Sequence, residues 1–145
     1  LISEKLSLIA AEKLPDQIDD ILDDRAIFEE QNHSNATYAS KIEKSEGQIR
    51  WIDNAENIIG KINGLYPSPG AFFKYKGFRY KILKAQLTLD SGEVGEVLDN
   101  YIKNSSGNKK SIKVFGIQKK GKKAQNIKEF MLGSQIKKGT NLDNA

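Results

Sequence analysis

The sequence predicts an α+β chain: two N-terminal helices, a short linker, then one helix leading into a small open β-barrel. Three observations carry this. Apolar residues recur at helical spacing through residues 2–22 and again through 55–65, whereas the period drops to two beyond a proline-rich break. The charge also divides. Residues 1–36 hold nine acids and three bases (net −6), and residues 37–145 hold ten acids and twenty bases (net +10).

Taken in order, Ile2, Leu6, Ile9, Ala10 and Leu14 form one apolar stripe of an amphipathic helix. Pro15 suits the first turn of a second, short helix, whose inward face continues through Ile18, Ile21 and Leu22. Two such helices cannot bury their stripes on each other, so they need a further partner surface. Leu1-Ile2-Ser3-Glu4-Lys5 reads like the middle of a helix, which predicts that the sequence is cut from something longer. Gln31-Asn32-His33-Ser34-Asn35 is polar and reads as a linker. The expected organisation is therefore a helical segment over 1–30, a linker over 31–36 and a second unit over 37–142.

Within that unit, Asp53 followed by Glu56 resembles a capping box. Ala55, Ile58, Ile59, Ile62 and Leu65 then mark a helix, which Tyr66-Pro67-Ser68-Pro69-Gly70 stops, because proline cannot continue it. Ala71–Tyr75 and Phe78–Lys84 read as a hairpin turning at Lys76-Gly77. Further strands are expected over Glu93–Leu98, Tyr101–Lys103 and Ser111–Gln118, and Asn126 and Glu129 open a last short helix containing Ile127, Phe130 and Met131. Several short strands with one leading helix predict an open barrel of oligonucleotide-binding (OB-like) type.

Composition narrows the function classes. With no cysteine, disulfides, thiolate metal sites and cysteine nucleophiles are excluded. No run of about 18 apolar residues exists, so no membrane-spanning helix is expected. A cytoplasmic, monomeric protein is anticipated. No catalytic or metal residue is assigned. His33, the one histidine, lies in the linker with no second ligand in sight, and Asp19, Asp20, Asp23 and Asp24 lack the spacing of a calcium loop and read as a solvated face.

The basic half is the better lead. Residues 109–139 contain ten lysines against a single acid, Glu129. Lys119-Lys120-Gly121-Lys122-Lys123 follows a predicted strand, and a glycine there lets the backbone turn tightly and crowd the ammonium groups at one edge. Such a cluster suits phosphate contact, with lysines acting as point charges. A solvated surface kept for solubility is the alternative. Phe72, Phe73, Tyr75, Phe78 and Tyr80 could stack on bases, but alternate members of a hairpin more often fill a core.

Residues Thr37–Trp51 carry Thr-Tyr-Ala-Ser-Lys-Ile-Glu-Lys-Ser-Glu-Gly-Gln-Ile-Arg-Trp. This resembles the linker and domain start of the methionyl-tRNA formyltransferase family, written Thr-Tyr-Ala-x-Lys-Ile/Leu-x-Lys-x-Glu-x-x-Ile-Asp-Trp. Pro67-Ser68-Pro69-Gly70-Ala71 is similar to its Pro-x-Pro-Gly-Ala, Gln118–Lys123 to its Gln-x-x-Gly-Lys-Lys, and Phe130–Gly133 to its Phe-Leu-x-Gly. Arg50 stands where the family has Asp, Ser68 where Trp is common, and 99–110 fits poorly.

The resemblance implies a Rossmann-like catalytic domain, of which residues 1–30 would be the closing helices, followed by an OB-like tRNA-binding domain. It implies 10-formyltetrahydrofolate as formyl donor and initiator methionyl-tRNA as partner. The family's catalytic Asn, His and Asp and its folate segment match nothing here, so the chain alone is expected to be inactive. Lys119, Lys120, Lys122 and Lys123 are the expected tRNA contacts, with Lys41 and Lys44 behind them, and Trp51 is expected to pack in a core. A stand-alone RNA-binding or adaptor module, or the downstream domain of another folate-dependent formyltransferase, is the alternative reading.

Overall fold

The structure, a computed structural model, describes residues 2–99, 103–105 and 107–143. The chain divides into two compact units, Leu1–Ala39 and Ser40–Ala145.

In the first unit, helix α1 runs unbroken from Ile2 to Leu22 with Pro15 inside it, which corrects the expectation of two helices. An interior proline lacks the N–H that would bond the carbonyl four residues back and costs about 3 kcal/mol. Its fixed φ is nevertheless helical, and Ala10-Ala11-Glu12-Lys13-Leu14 before it are strong helix formers. The helix therefore continues. Beyond it, Arg25 pairs with Asp20 at 3.1 Å and with Asp23 at 2.5 Å, so part of the acidic face carries a cation. These pairs are exposed, and each contributes about 0–1 kcal/mol. Ile2, Leu6, Ile9, Leu14, Ile18 and Ile21 remain exposed along α1.

In the second unit, α2 (Ala55–Gly64) buries Ala55, Ile58 and Ile62 on one face, as its periodicity predicts. Its start differs from the expected capping box. Asn54 is the N-cap and makes no side-chain cap bond, and the Ala55 amide instead donates to Asn108 Oδ1 at 3.1 Å. Glu56 accepts from Asn108 Nδ2 at 2.7 Å and from the Lys110 ammonium. A tertiary partner has replaced the local one. The Lys110 hydrogen bond, the residue's own backbone amide and Asn108 together lower the Glu56 carboxyl from the ordinary 4.5 to about 2. A depressed folded-state pKa gives stability that is present above pH 4.5 and lost as pH falls toward 2. The Glu56→Gln variant should therefore melt earlier than the parent at pH 7. That difference should shrink steadily in melts between pH 4.5 and 2.

The sheet is antiparallel, with order β1 (Phe72–Tyr75), β2 (Phe78–Thr88), β4 (Ser111–Lys119), β3 (Lys103–Ser105), and β5 (Gln125–Asn126) also pairs with β4. The β1–β2 hairpin forms at Lys76-Gly77 as expected, with Tyr75 opposite Phe78. Strand β2 runs past Lys84 to Thr88 because β4 supplies partners along its length, down to Thr88 opposite Ser111, through register shifts beside Lys84. The strand expected over Glu93–Leu98 is a turn followed by isolated bridge residues at Glu96 and Val97, with Glu96 bridging Asn141. There the Glu96 amide donates back to the Glu93 carbonyl at 3.0 Å, which bends the chain before it can extend. Tyr101 and Ile102 of another predicted strand lie outside the described residues, and β3 occupies Lys103–Ser105. Helix α3 (Ile127–Gly133) starts where expected, with Asn126 Oδ1 accepting from the Glu129 amide.

The core lies between α2, the inner face of the sheet and α3. Trp51, Phe73, Tyr80 and Phe130 form an aromatic run with successive centroids 5.8, 5.4 and 5.7 Å apart. Each such pair is worth about 0.5–1.5 kcal/mol beyond its buried area. Trp51 is 1% exposed, as expected of a core residue, and its indole N–H is buried with no acceptor among the described residues. Burial among these rings also raises the Tyr80 hydroxyl above its ordinary pKa.

Candidate nucleic-acid interface

The lysine turn joins β4 to β5. Strand β4 ends at Lys119, the Lys122 amide closes onto the Lys119 carbonyl at 3.0 Å, and Gly121 takes φ +77°. That left-handed conformation is cheap for glycine and costs about 1–2 kcal/mol for a residue with a Cβ. Two further bonds fix the turn: Gln118 Nε2 donates to the Lys122 carbonyl at 2.9 Å, and the Lys120 amide donates to the Arg79 carbonyl at 2.9 Å.

The turn divides its lysines between two grooves. Lys120 lines a groove of about 520 Å³ with Lys44, Arg79, Lys81, Gln118 and the Ser68-Pro69 turn. Lys119, Lys122 and Lys123 line a second groove, of about 460 Å³, against Gln125, Glu129 and Phe130. Lys41 is exposed on the segment leading to the Lys44–Gly47 turn and lines neither groove. Lys119 is partly fixed, since its Nζ lies 3.5 Å from the Phe78 ring centroid and 5.8 Å from that of Tyr80.

The larger groove holds two cations that the lysine-rich motif did not point to. Arg79 and Lys81 flank buried Tyr80 on β2 and so face outward together. The same alternation is visible in Phe-Arg-Tyr-Lys-Ile, which was the available signal. Gly70, at φ +81°, helps shape the wall. A Cβ there would lie 2.5 Å from Lys81 Cδ, so the lysine stem crosses the bare glycine backbone. Lys81 Nζ reaches the Pro67 carbonyl at 3.4 Å. Among the described residues, the ion pairs involve Lys13, Arg25, Arg50 and Lys110, so Lys44, Arg79, Lys81 and Lys120 of the larger groove are in no ion pair there.

Of the aromatic residues considered for stacking, Phe73 and Tyr80 belong to the core. Phe78 is 51% exposed but carries Lys119 on its ring.

The family model for the formyl transferase C-terminal domain matches residues 41–135. The chain belongs to that family. It is 62% identical over 143 residues to the methionyl-tRNA formyltransferase of Pelagibacter ubique (strain HTCC1062), covering 99% of this chain and 46% of that protein. It is 35% identical over 141 residues to the methionyl-tRNA formyltransferase of Rickettsia prowazekii (strain Madrid E), covering 96% and 46% respectively. The chain thus spans about half the length of the curated relatives it matches. Among solved structures, HypX from Aquifex aeolicus in complex with tetrahydrofolic acid aligns with a TM-score of 0.57 at 15% identity, over 83% of this chain and 25% of that one. At that identity the likeness concerns the fold alone. Both grooves of this formyl transferase C-terminal domain are lined within the matched residues, and of their cations the motifs include Lys44, Lys119, Lys120, Lys122 and Lys123 but neither Arg79 nor Lys81.

Proposed function

We propose that this chain is the tRNA-gripping C-terminal part of a methionyl-tRNA formyltransferase. The whole protein would pass a formyl group from 10-formyltetrahydrofolate to the amino group of methionine on the initiator tRNA. The observation that carries the reading is the Lys119–Lys123 turn, which presents cations to two grooves in a chain whose relatives bear that name. Lysines near phosphates release condensed counterions, so they give affinity and position without reading bases. Lys119, Lys120, Lys122 and Lys123 are the assigned contacts, with Lys44 beside Lys120 and Lys41 on the approach.

The cation-lined grooves suit phosphate, and the family's folate segment matches no residue of this sequence. The folate is therefore assigned to residues outside this chain. The exposed stripe of α1 supports the same division, because contiguous apolar surface on one helix face marks an interaction site. In this reading α1 closes a Rossmann-like catalytic domain, and the open sheet with its leading helix is an OB-like barrel. The second reading, a stand-alone RNA-binding module, draws on the fact that Ser40–Ala145 holds the whole core by itself.

An amide chemical-shift footprint tests the site. Initiator tRNA titrated into the labelled chain should perturb Gln118–Lys123 and Ser68–Gly70, while Gly92–Asp99 stays unmoved. Perturbation confined to Gly92–Asp99 would place the RNA elsewhere.

A further inference from the structure

The larger groove contains a better-organised cation than any of its lysines. The Arg79 guanidinium carbon lies 3.6 Å from the centroid of the Phe72 ring. Phe72 is 5% exposed, yet it is not part of the hydrophobic core cluster that takes in its neighbours Ala71 and Phe73. It lies on the other face of β1, against the backbone of the Lys44–Gly47 turn, where a Cβ on Gly47 would come within 3.4 Å of its ring. Its position is held by the Ile49 amide, which donates to the Phe72 carbonyl at 2.7 Å. A buried aromatic ring outside the core cluster, with a guanidinium held over it, is a platform. Much of the rotamer freedom of an exposed arginine is already gone before any ligand arrives, whereas a flexible lysine must lose it on binding.

Around Arg79 stand Lys44, Lys81 and Lys120, with no acidic residue in the groove lining among the described residues. Four like charges along one groove repel each other in the free protein, and that strain is relieved when anions enter. The planar fork of arginine can donate two parallel hydrogen bonds to one phosphate, and the three ammonium groups suit its neighbours along a strand.

We propose that the groove between the Tyr66–Gly70 turn and the Lys119–Lys123 turn seats consecutive phosphates of an RNA backbone. Arg79, stacked on Phe72, is its leading contact, and Phe72 is a positioning residue. The proposal rests on the tRNA-binding reading above but assigns the strongest contact to a residue outside the lysine turn.

The test measures initiator-tRNA binding by the 145-residue chain across salt for four variants. Arg79→Ala should lower affinity about fivefold at 0.15 M salt and reduce the slope of log K against log salt by about 0.9, one phosphate contact. Arg79→Lys keeps the charge, so the slope should hold while affinity still falls several-fold. Phe72→Leu should act like Arg79→Lys, changing affinity and not slope. Lys5→Ala, an exposed cation on α1 that lines neither groove, should match the parent. If Arg79→Lys and Phe72→Leu both bind as the parent does, the assignment is overturned while the tRNA reading stands. If the parent binds no tRNA, both fail. If inorganic tripolyphosphate binding falls as far as tRNA binding in Arg79→Lys, the groove takes a compact polyphosphate and the backbone assignment is wrong.

Discussion

Replacing Lys119, Lys120, Lys122 and Lys123 together with alanine is expected to weaken initiator-tRNA binding by up to about a thousandfold at 0.15 M salt. Each phosphate contact contributes roughly 0.9 to the slope of log K against log salt, which amounts to about fivefold in affinity at 0.15 M. Four contacts multiply to that limit. Direct titration of labelled tRNA at several salt concentrations checks it, because the slope should flatten in step with the affinity. The division of the lysines between two grooves makes the result informative in parts. Lys120→Ala alone removes a cation from the Arg79 groove, whereas Lys122→Ala and Lys123→Ala remove cations from the groove beside α3. Losses confined to one group would show which groove carries the RNA. The fold should survive these changes, since Lys120, Lys122 and Lys123 are exposed and the turn is held by backbone and Gln118 bonds.

The second large effect concerns stability. Phe73 is 1% exposed and touches both Trp51 and Tyr80 in the aromatic run. Phe73→Ala should cost about 3–5 kcal/mol, from lost transfer free energy and the cavity left behind. Trp51 is the single tryptophan and is buried, so its emission reports unfolding in guanidinium directly. An unchanged midpoint would mean that the ring is not packed as described. Phe78→Ala, by contrast, removes a half-exposed ring and should cost far less.

Much of the fold was legible because it follows from local patterning. The α2 stripe of Ile58 and Ile62, the stop at Pro67, the Lys76-Gly77 hairpin and the Asn126 cap of α3 each depend on residues near one another in sequence. The misreadings have non-local or context-dependent causes. Asn108 reaches across 53 positions to cap α2, and no local rule anticipates that. Strand β2 extends to Thr88 because β4 lies beside it, not because Gln86-Leu87-Thr88 is strongly strand-forming. Pro15 looked like a boundary because proline usually is one, yet the flanking helix formers carry α1 through it.

At the site, the lysine turn stood out by composition. Arg79 and Lys81 alternate with aromatic residues in Phe78–Ile82, so composition alone does not mark them as a cationic face. Phe72 looked like one more core ring, and only its separation from the core cluster marks it as the surface beneath Arg79.

The most direct test of the central claim is the salt dependence of initiator-tRNA binding by the unaltered chain. The account predicts a linear fall of log K with log salt whose slope corresponds to several phosphate contacts. A flat dependence, or no binding at low salt, would contradict it and leave the lysines as a solvated surface.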